Sequence, residues 1–68
     1  MEKEKLLEVQ NFIDETSMVV SKNVALLTPH MKTLELSIAS LLFFVSIGNY
    51  ERCLYEMGQT KKIIETNL

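Results

Sequence analysis

The sequence predicts an all-α protein: a helical hairpin or a small three-helix unit, with helices at about residues 2–27, 29–47 and 49–66. Three observations carry that expectation. Residues 2–27 contain neither Gly nor Pro, and their apolar side chains recur every seven residues, as in a helix with a wide apolar stripe. Thr28-Pro29 interrupts the pattern once, and Gly48-Asn49 offers a second interruption.

In the first helix Leu6, Ile13, Val20 and Leu27 form one column, with Phe12, Val19 and Leu26 beside it. Val9, Thr16 and Asn23 complete the half-step, so the seam weakens in its middle. Asn23 at such a position either sets register in a helix pair or marks a seam edge open to water. Glu4, Glu8, Asn11, Glu15 and Lys22 supply the solvated side. A Thr28 N-cap followed by Pro29 at the first helical position satisfies one free donor and presets the backbone angle. Because Pro disfavours helical geometry in the residue before it, the first helix is expected to end near Leu27. So short a connection makes the next helix an antiparallel neighbour.

The second helix carries Met31, Leu34, Ile38, Leu41 and Val45 on one stripe and Leu36, Ala39, Phe43 and Ile47 on another. A helix apolar nearly all round needs cover on two sides, and the first helix can provide only one. Thr33, Ser37 and Ser40 form a column of small side chains that lets another helix approach closely. The second cover is expected from the C-terminal segment, where Tyr50, Leu54, Met57, Ile64 and Leu68 recur at helical spacing and Lys61 interrupts them. Gly48-Asn49 suits a left-handed cap followed by a fresh helix start, which gives a compact three-helix unit. A helix continuous through that pair instead gives a long hairpin that must dimerise to cover its far half. Gly58 weakens the last helix by about 1 kcal/mol relative to Ala, unless a close contact uses the space.

Composition narrows the function. The 68 residues make one domain, 1–68, with 47% apolar side chains, one Cys and one His. A globule of this size buries only about 60% of the surface its unfolded chain exposes, so packing needs completion by oligomerisation or a partner. The lone Cys53 and His30 can form neither an internal disulfide nor a four-ligand zinc site, and no cofactor is expected. Seven bases against nine acids are spread evenly along the chain, without a basic stripe to neutralise phosphates. Nucleic-acid binding is therefore not expected, and a dimeric helical-bundle regulator of nucleic acid is the second alternative. Met1 leads into Glu2-Lys3-Glu4-Lys5, which with the single Cys gives the expectation of a cytoplasmic protein.

The longest uncharged window, Leu36 to Tyr50, is fifteen residues, short of the roughly 20 that span a bilayer. A buried core helix is the expectation. A membrane-associated protein using segment 36–50 is the first alternative, though it lacks the Lys/Arg flank and Trp belt of such segments. Catalysis is not expected either, since the chain has no Gly-rich loop and no paired-acid motif, and Cys53 and His30 fall on different elements. Glu4 with Glu8, or Asp14 with Glu15, would need carboxylates from another chain to hold a divalent cation, and a solvated charged face is the default.

What remains is an apolar surplus, concentrated in Leu41-Leu42-Phe43-Phe44-Val45 and Ile47. Exposed apolar patches on soluble proteins mark interfaces, and burying one Phe or Leu contributes about 1.5–3 kcal/mol. The expected function is a non-enzymatic helical interaction module, an adaptor, co-chaperone or antagonist, whose partner is another protein or a second copy of itself. Its expected contact residues are Leu36, Phe43, Phe44 and Ile47 on the exposed side of the second helix, with Tyr50 and Tyr55 as amphipathic anchors at the rim.

Phe44, Gly48-Asn49-Tyr50-Glu51-Arg52-Cys53, Met57 and Thr60 resemble the inner part of a tetratricopeptide repeat, a helix-turn-helix unit that binds peptides and proteins. In that motif a large residue precedes a Gly-x-Tyr turn by four and a small residue, here Cys53, lets the second helix pack tightly on the first. The resemblance covers residues 44–60. Ser37, Ser40 and Leu41 stand where the motif has its early aromatic and Leu-Gly pair, and Glu65 stands where it closes on Pro. In length and helical character the chain is also similar to the small co-chaperones of bacterial type III secretion, a generic likeness that no motif carries.

Overall fold

The computed structural model describes all 68 residues: α1 (Lys3–Lys22), a single turn α2 (Val24–Leu27), a 3-10 turn (Thr28–His30), α3 (Met31–Ser46) and α4 (Tyr50–Asn67). There is no strand. Val9 meets Leu41 and Cys53 at one end of the molecule, and Leu27 meets Leu34 and Ile64 at the other. The three long helices therefore run up, down and up, side by side within 36 × 16 × 16 Å.

The break at Gly48-Asn49 is present, and backbone chemistry makes it. Gly48 adopts φ +71°, a left-handed angle that costs other residues about 1–2 kcal/mol. Its N–H donates to the Val45 carbonyl at 3.0 Å, and the Asn49 N–H donates to the Phe44 carbonyl at 2.9 Å. These are the two bonds of a Schellman cap. Asn49 then opens α4, its Oδ1 accepting from the Arg52 N–H at 3.1 Å, so one helix is closed and the next capped within a few residues.

The first break differs from the expected one. α1 stops at Lys22 rather than near Leu27, because the Asn23 side-chain amide donates to the Val19 carbonyl at 2.8 Å. That carbonyl is the normal acceptor for the Asn23 backbone N–H, which turns instead to Val20 at 3.1 Å, a local competition that ends helices. Asn23 thus terminates α1 rather than setting register in a seam. Thr28 is not an N-cap: it is helical at φ −50°, ψ −44°, and its hydroxyl donates back to the Val24 carbonyl at 2.6 Å. Pro29 lies inside the 3-10 turn and α3 starts at Met31. The chain still reverses between α1 and α3, as expected.

Inside, the half-step column of α1 is the innermost one, with Val9 and Thr16 buried while Leu6, Ile13 and Val20 are half-buried and Leu26 is exposed. The inner face of α4 is likewise rotated from the expected stripe. Cys53, Thr60 and Ile64 are buried, while Leu54 and Leu68 are exposed. Small side chains at Cys53 and Thr60 let α4 come close to α3, and these two backbones approach more closely than any other pair of long helices. The Cys53 sulfur lies 4.0 Å from the Leu41 carbonyl oxygen, and the Thr60 hydroxyl donates to the Glu56 carbonyl at 2.8 Å.

On α3, Met31, Leu34, Ile38, Leu41 and Val45 face inward as expected. The second cover comes from α4 and lies along the Ser37–Ser40 column, as expected, but it also takes in Phe44, which was expected on the exposed side. At about 100° per residue, α4 lies on the flank of Ser37, Ser40 and Phe44, all half-buried, and the stripe of Leu36, Ala39, Phe43 and Ile47 stays exposed.

Candidate interaction face

The uncovered stripe is the most apolar surface on α3. Leu36, Phe43 and Ile47 are 61%, 59% and 57% exposed, and they share one side of the helix with the small residues Ala39 and Ser40. No charged side chain interrupts the chain from Leu36 to Tyr50. Schellman closure at Gly48 ends the stripe sharply at Ile47 and swings α4 back along the neighbouring flank.

Two of the six expected contact residues lie off this face. Phe44 is half-buried and packs against the Val9–Leu41–Cys53 cluster. Its ring meets Phe43 edge-on, with centroids 5.4 Å apart and planes at 69°, so it supports the exposed ring from beneath. Tyr50 turns towards α1, where its hydroxyl donates to Glu8 Oε1 at 2.8 Å and the Lys5 ammonium sits 4.8 Å from the ring centroid. Tyr50 joins helices and does not rim the exposed stripe. The Glu8 carboxylate accepting its proton holds the Tyr50 phenol above the ordinary value.

Tyr55 is exposed on α4 and is tied to the α3 corner by a residue the sequence did not single out. The Arg52 guanidinium lies 5.0 Å from the Phe44 ring centroid and 4.8 Å from that of Tyr55, bridging the two helices by cation–π contact. Glu56 Oε1 accepts from the same guanidinium at 3.4 Å. The Arg52–Tyr55 spacing of three residues is legible in a helix; the contact with Phe44 crosses the Gly48 turn and is not. Leu42, 54% exposed, is also unassigned by the sequence and belongs to a different opening. It lines a groove of about 510 Å³ between α1 and α3 with Val20, Met31, Leu34, Ile38 and Ala39.

Nothing brings catalytic groups together. Cys53 is fully buried and burial pushes its thiol up, which keeps it protonated and unreactive at neutral pH. His30 sits at the far end of α3, roughly 16 Å along the helix from the Leu41 level where Cys53 packs. No cluster of His, Cys, Asp or Glu is placed to hold a metal ion, and no helix is long and apolar enough to cross a membrane. The fold defines a small three-helix all-α protein with an uncovered apolar stripe on α3. No family model, curated protein or solved structure matches the chain.

Proposed function

We propose that the chain is a non-enzymatic protein-interaction module of the adaptor or co-chaperone kind, acting in the cytoplasm through the outer face of α3. The single observation that carries this reading is the exposed, uncharged Leu36–Phe43–Ile47 stripe on α3. An exposed aromatic such as Phe43, braced edge-on by the half-buried Phe44, offers a large apolar side chain to an interface core. A helix face of this kind docks by presenting residues at helical spacing to an apolar groove or another helix. The buried Cys53 and the separation of His30 from it support a non-catalytic role. The likeness of residues 44–60 to a tetratricopeptide unit fits the same class of function and adds no partner identity.

The test is association measured with and without the face. Sedimentation of the purified chain and capture of proteins from cell lysate are compared for wild type and Phe43→Asp, with circular dichroism to confirm that helix content is kept. Loss of a specific association in Phe43→Asp at unchanged helicity supports the reading. A wild-type chain that stays monomeric and captures nothing dependent on Phe43 overturns it.

A further inference from the structure

Resting on that reading, we infer that the occupant of the α3 face is a second copy of this chain, docked antiparallel about a two-fold axis that crosses α3 between Ala39 and Ser40. The face is its own complement. Leu36 and Phe43 stand equally far on either side of that point, and so do Lys32 and Ile47. An antiparallel pair of α3 helices in this register sets Leu36 of each copy on Phe43 of the other and closes as an isologous dimer. Ala39 and Ser40 occupy the crossing, where two backbones come nearest and small side chains are needed. Leu36, Ser40, Phe43 and Ile47 also follow the alternating four-three spacing of a helix-pair seam.

Charge obeys the same symmetry. Exposed Lys32 marks the N-terminal end of the uncharged stripe, and exposed Glu51 follows the turn at its other end. Antiparallel docking brings Lys32 of each copy to the C-terminal, negative end of the other α3, with Glu51 nearby. Parallel docking would set Lys32 against Lys32 and Glu51 against Glu51. The antiparallel order is therefore the one the charges favour.

Area agrees. A folded monomer of 7.8 kDa is expected to expose about 4,400 Å², and this chain exposes 4760 Å². A stable interface covers about 800 Å² on each partner. Three large side chains each more than half exposed, with Ala39 and Ser40 between them, make a face smaller than that. The dimer should accordingly form in a concentration-dependent way rather than be obligate.

The experiment is a charge-swap pairing on the full chain. Wild type should move from 7.8 kDa to twice that mass as its concentration rises from about 1 to 500 µM in sedimentation equilibrium. Leu36→Lys and Phe43→Glu should each weaken self-association at least about 100-fold, since each change occurs twice in a two-fold dimer. Mixing the two variants should restore a dimer, because the mixed pair sets the introduced lysine of one copy opposite the introduced glutamate of the other and keeps the second Leu–Phe contact intact. Circular dichroism verifies that both variants remain helical. A mixture of Ala39→Cys and Ser40→Cys chains, whose native Cys53 is buried, should form a disulfide-linked dimer under mild oxidation, because this register sets residue 39 of one copy on residue 40 of the other.

A wild-type chain that stays at 7.8 kDa throughout overturns the second-copy inference. If that monomer still captures another protein through Phe43, the broader interaction reading stands; if it captures none, both fall. A wild-type dimer whose charged variants still dimerise, or whose mixed variants do not recombine, overturns the antiparallel register. Absence of the 39–40 cross-link in a dimeric sample does the same.

Discussion

The α3–α4 pair and α1 are built on different principles, although all three are amphipathic helices of similar length. α3 and α4 are joined by a turn with both ends capped, and they approach through small side chains, Cys53 and Thr60 on one helix against the Ser37–Ser40 flank of the other. α1 stands farther off. It reaches the pair through large side chains, Val9, Phe12, Ile13 and Val20, and through the Tyr50–Glu8 hydrogen bond, and it leaves a groove towards α3. Close backbone approach orders a helix pair locally, whereas a helix held by side-chain tips depends on a few deep contacts. Loss of one such contact is correspondingly costly.

That comparison can be broken most directly in the core. Leu41 lies at the junction of all three helices with no exposure, and Leu41→Ala should lower stability by about 2–5 kcal/mol. The total available to 68 residues is roughly 3–10 kcal/mol, so urea unfolding should show a largely unfolded chain. Val9→Ala removes two methyl groups from the α1 side of the same cluster and should cost about 2 kcal/mol. Hydrogen exchange should then show α1 amides losing protection before those of α3 and α4, and uniform loss would contradict the two-part description.

The turn is the next target. Gly48→Ala places a Cβ at φ +71° without a close clash, the nearest atom being the Met1 nitrogen at 3.7 Å, so the cost should be the backbone angle alone, about 1–2 kcal/mol. Gly58→Ala sharpens the contrast from the other side. A Cβ there meets nothing within 4 Å, and the variant should be more stable by about 0.5–1 kcal/mol, read as a higher melting temperature.

The smallest expected effect is on the α1–α4 link. Tyr50 has a raised phenol pKa because its proton is held by Glu8. A group whose pKa is higher when folded contributes stability that is complete below the unfolded phenol value and is lost as pH rises through the folded one. Tyr50→Phe should therefore melt slightly below wild type near neutral pH, and the gap should close as pH rises through the raised phenol ionisation. Cys53, raised by burial, adds alkaline loss to both proteins, so the comparison is read as the difference between them.

Much of the fold can be read from particular residues. Gly48 and Asn49 announce a cap and a fresh start because each step needs only its own backbone and its immediate neighbours. The charged face of α1 and the inward stripe of α3 follow from helical period alone. Asn23 escapes such a reading because its side chain and its backbone compete for one carbonyl, and the winner depends on geometry. Thr28 escapes it for a related reason: its hydroxyl can cap forwards or bond backwards, and it bonds back to Val24.

The candidate face divides along the same line. Leu36, Phe43 and Ile47 are recognisable because helical period puts them on one uncharged face away from the inward stripe. Phe44 and Tyr50 look alike to them in sequence because hydropathy does not say which side a neighbour will take.

The helix class, the break at Gly48-Asn49, the reversal after α1 and a surplus of apolar side chains are all written in the amino-acid order. Those depend on period, capping and composition, which act over a few residues. Packing of the helices added that Phe44 and Tyr50 belong to the inner side of that surplus, while Leu36, Phe43 and Ile47 stay exposed. α4 took the flank of Ser37, Ser40 and Phe44 because small Cys53 and Thr60 allow close approach there. Hydropathy ranks side chains by their transfer from water, but helix contact also rewards smallness, and that reward appears only when two particular surfaces meet.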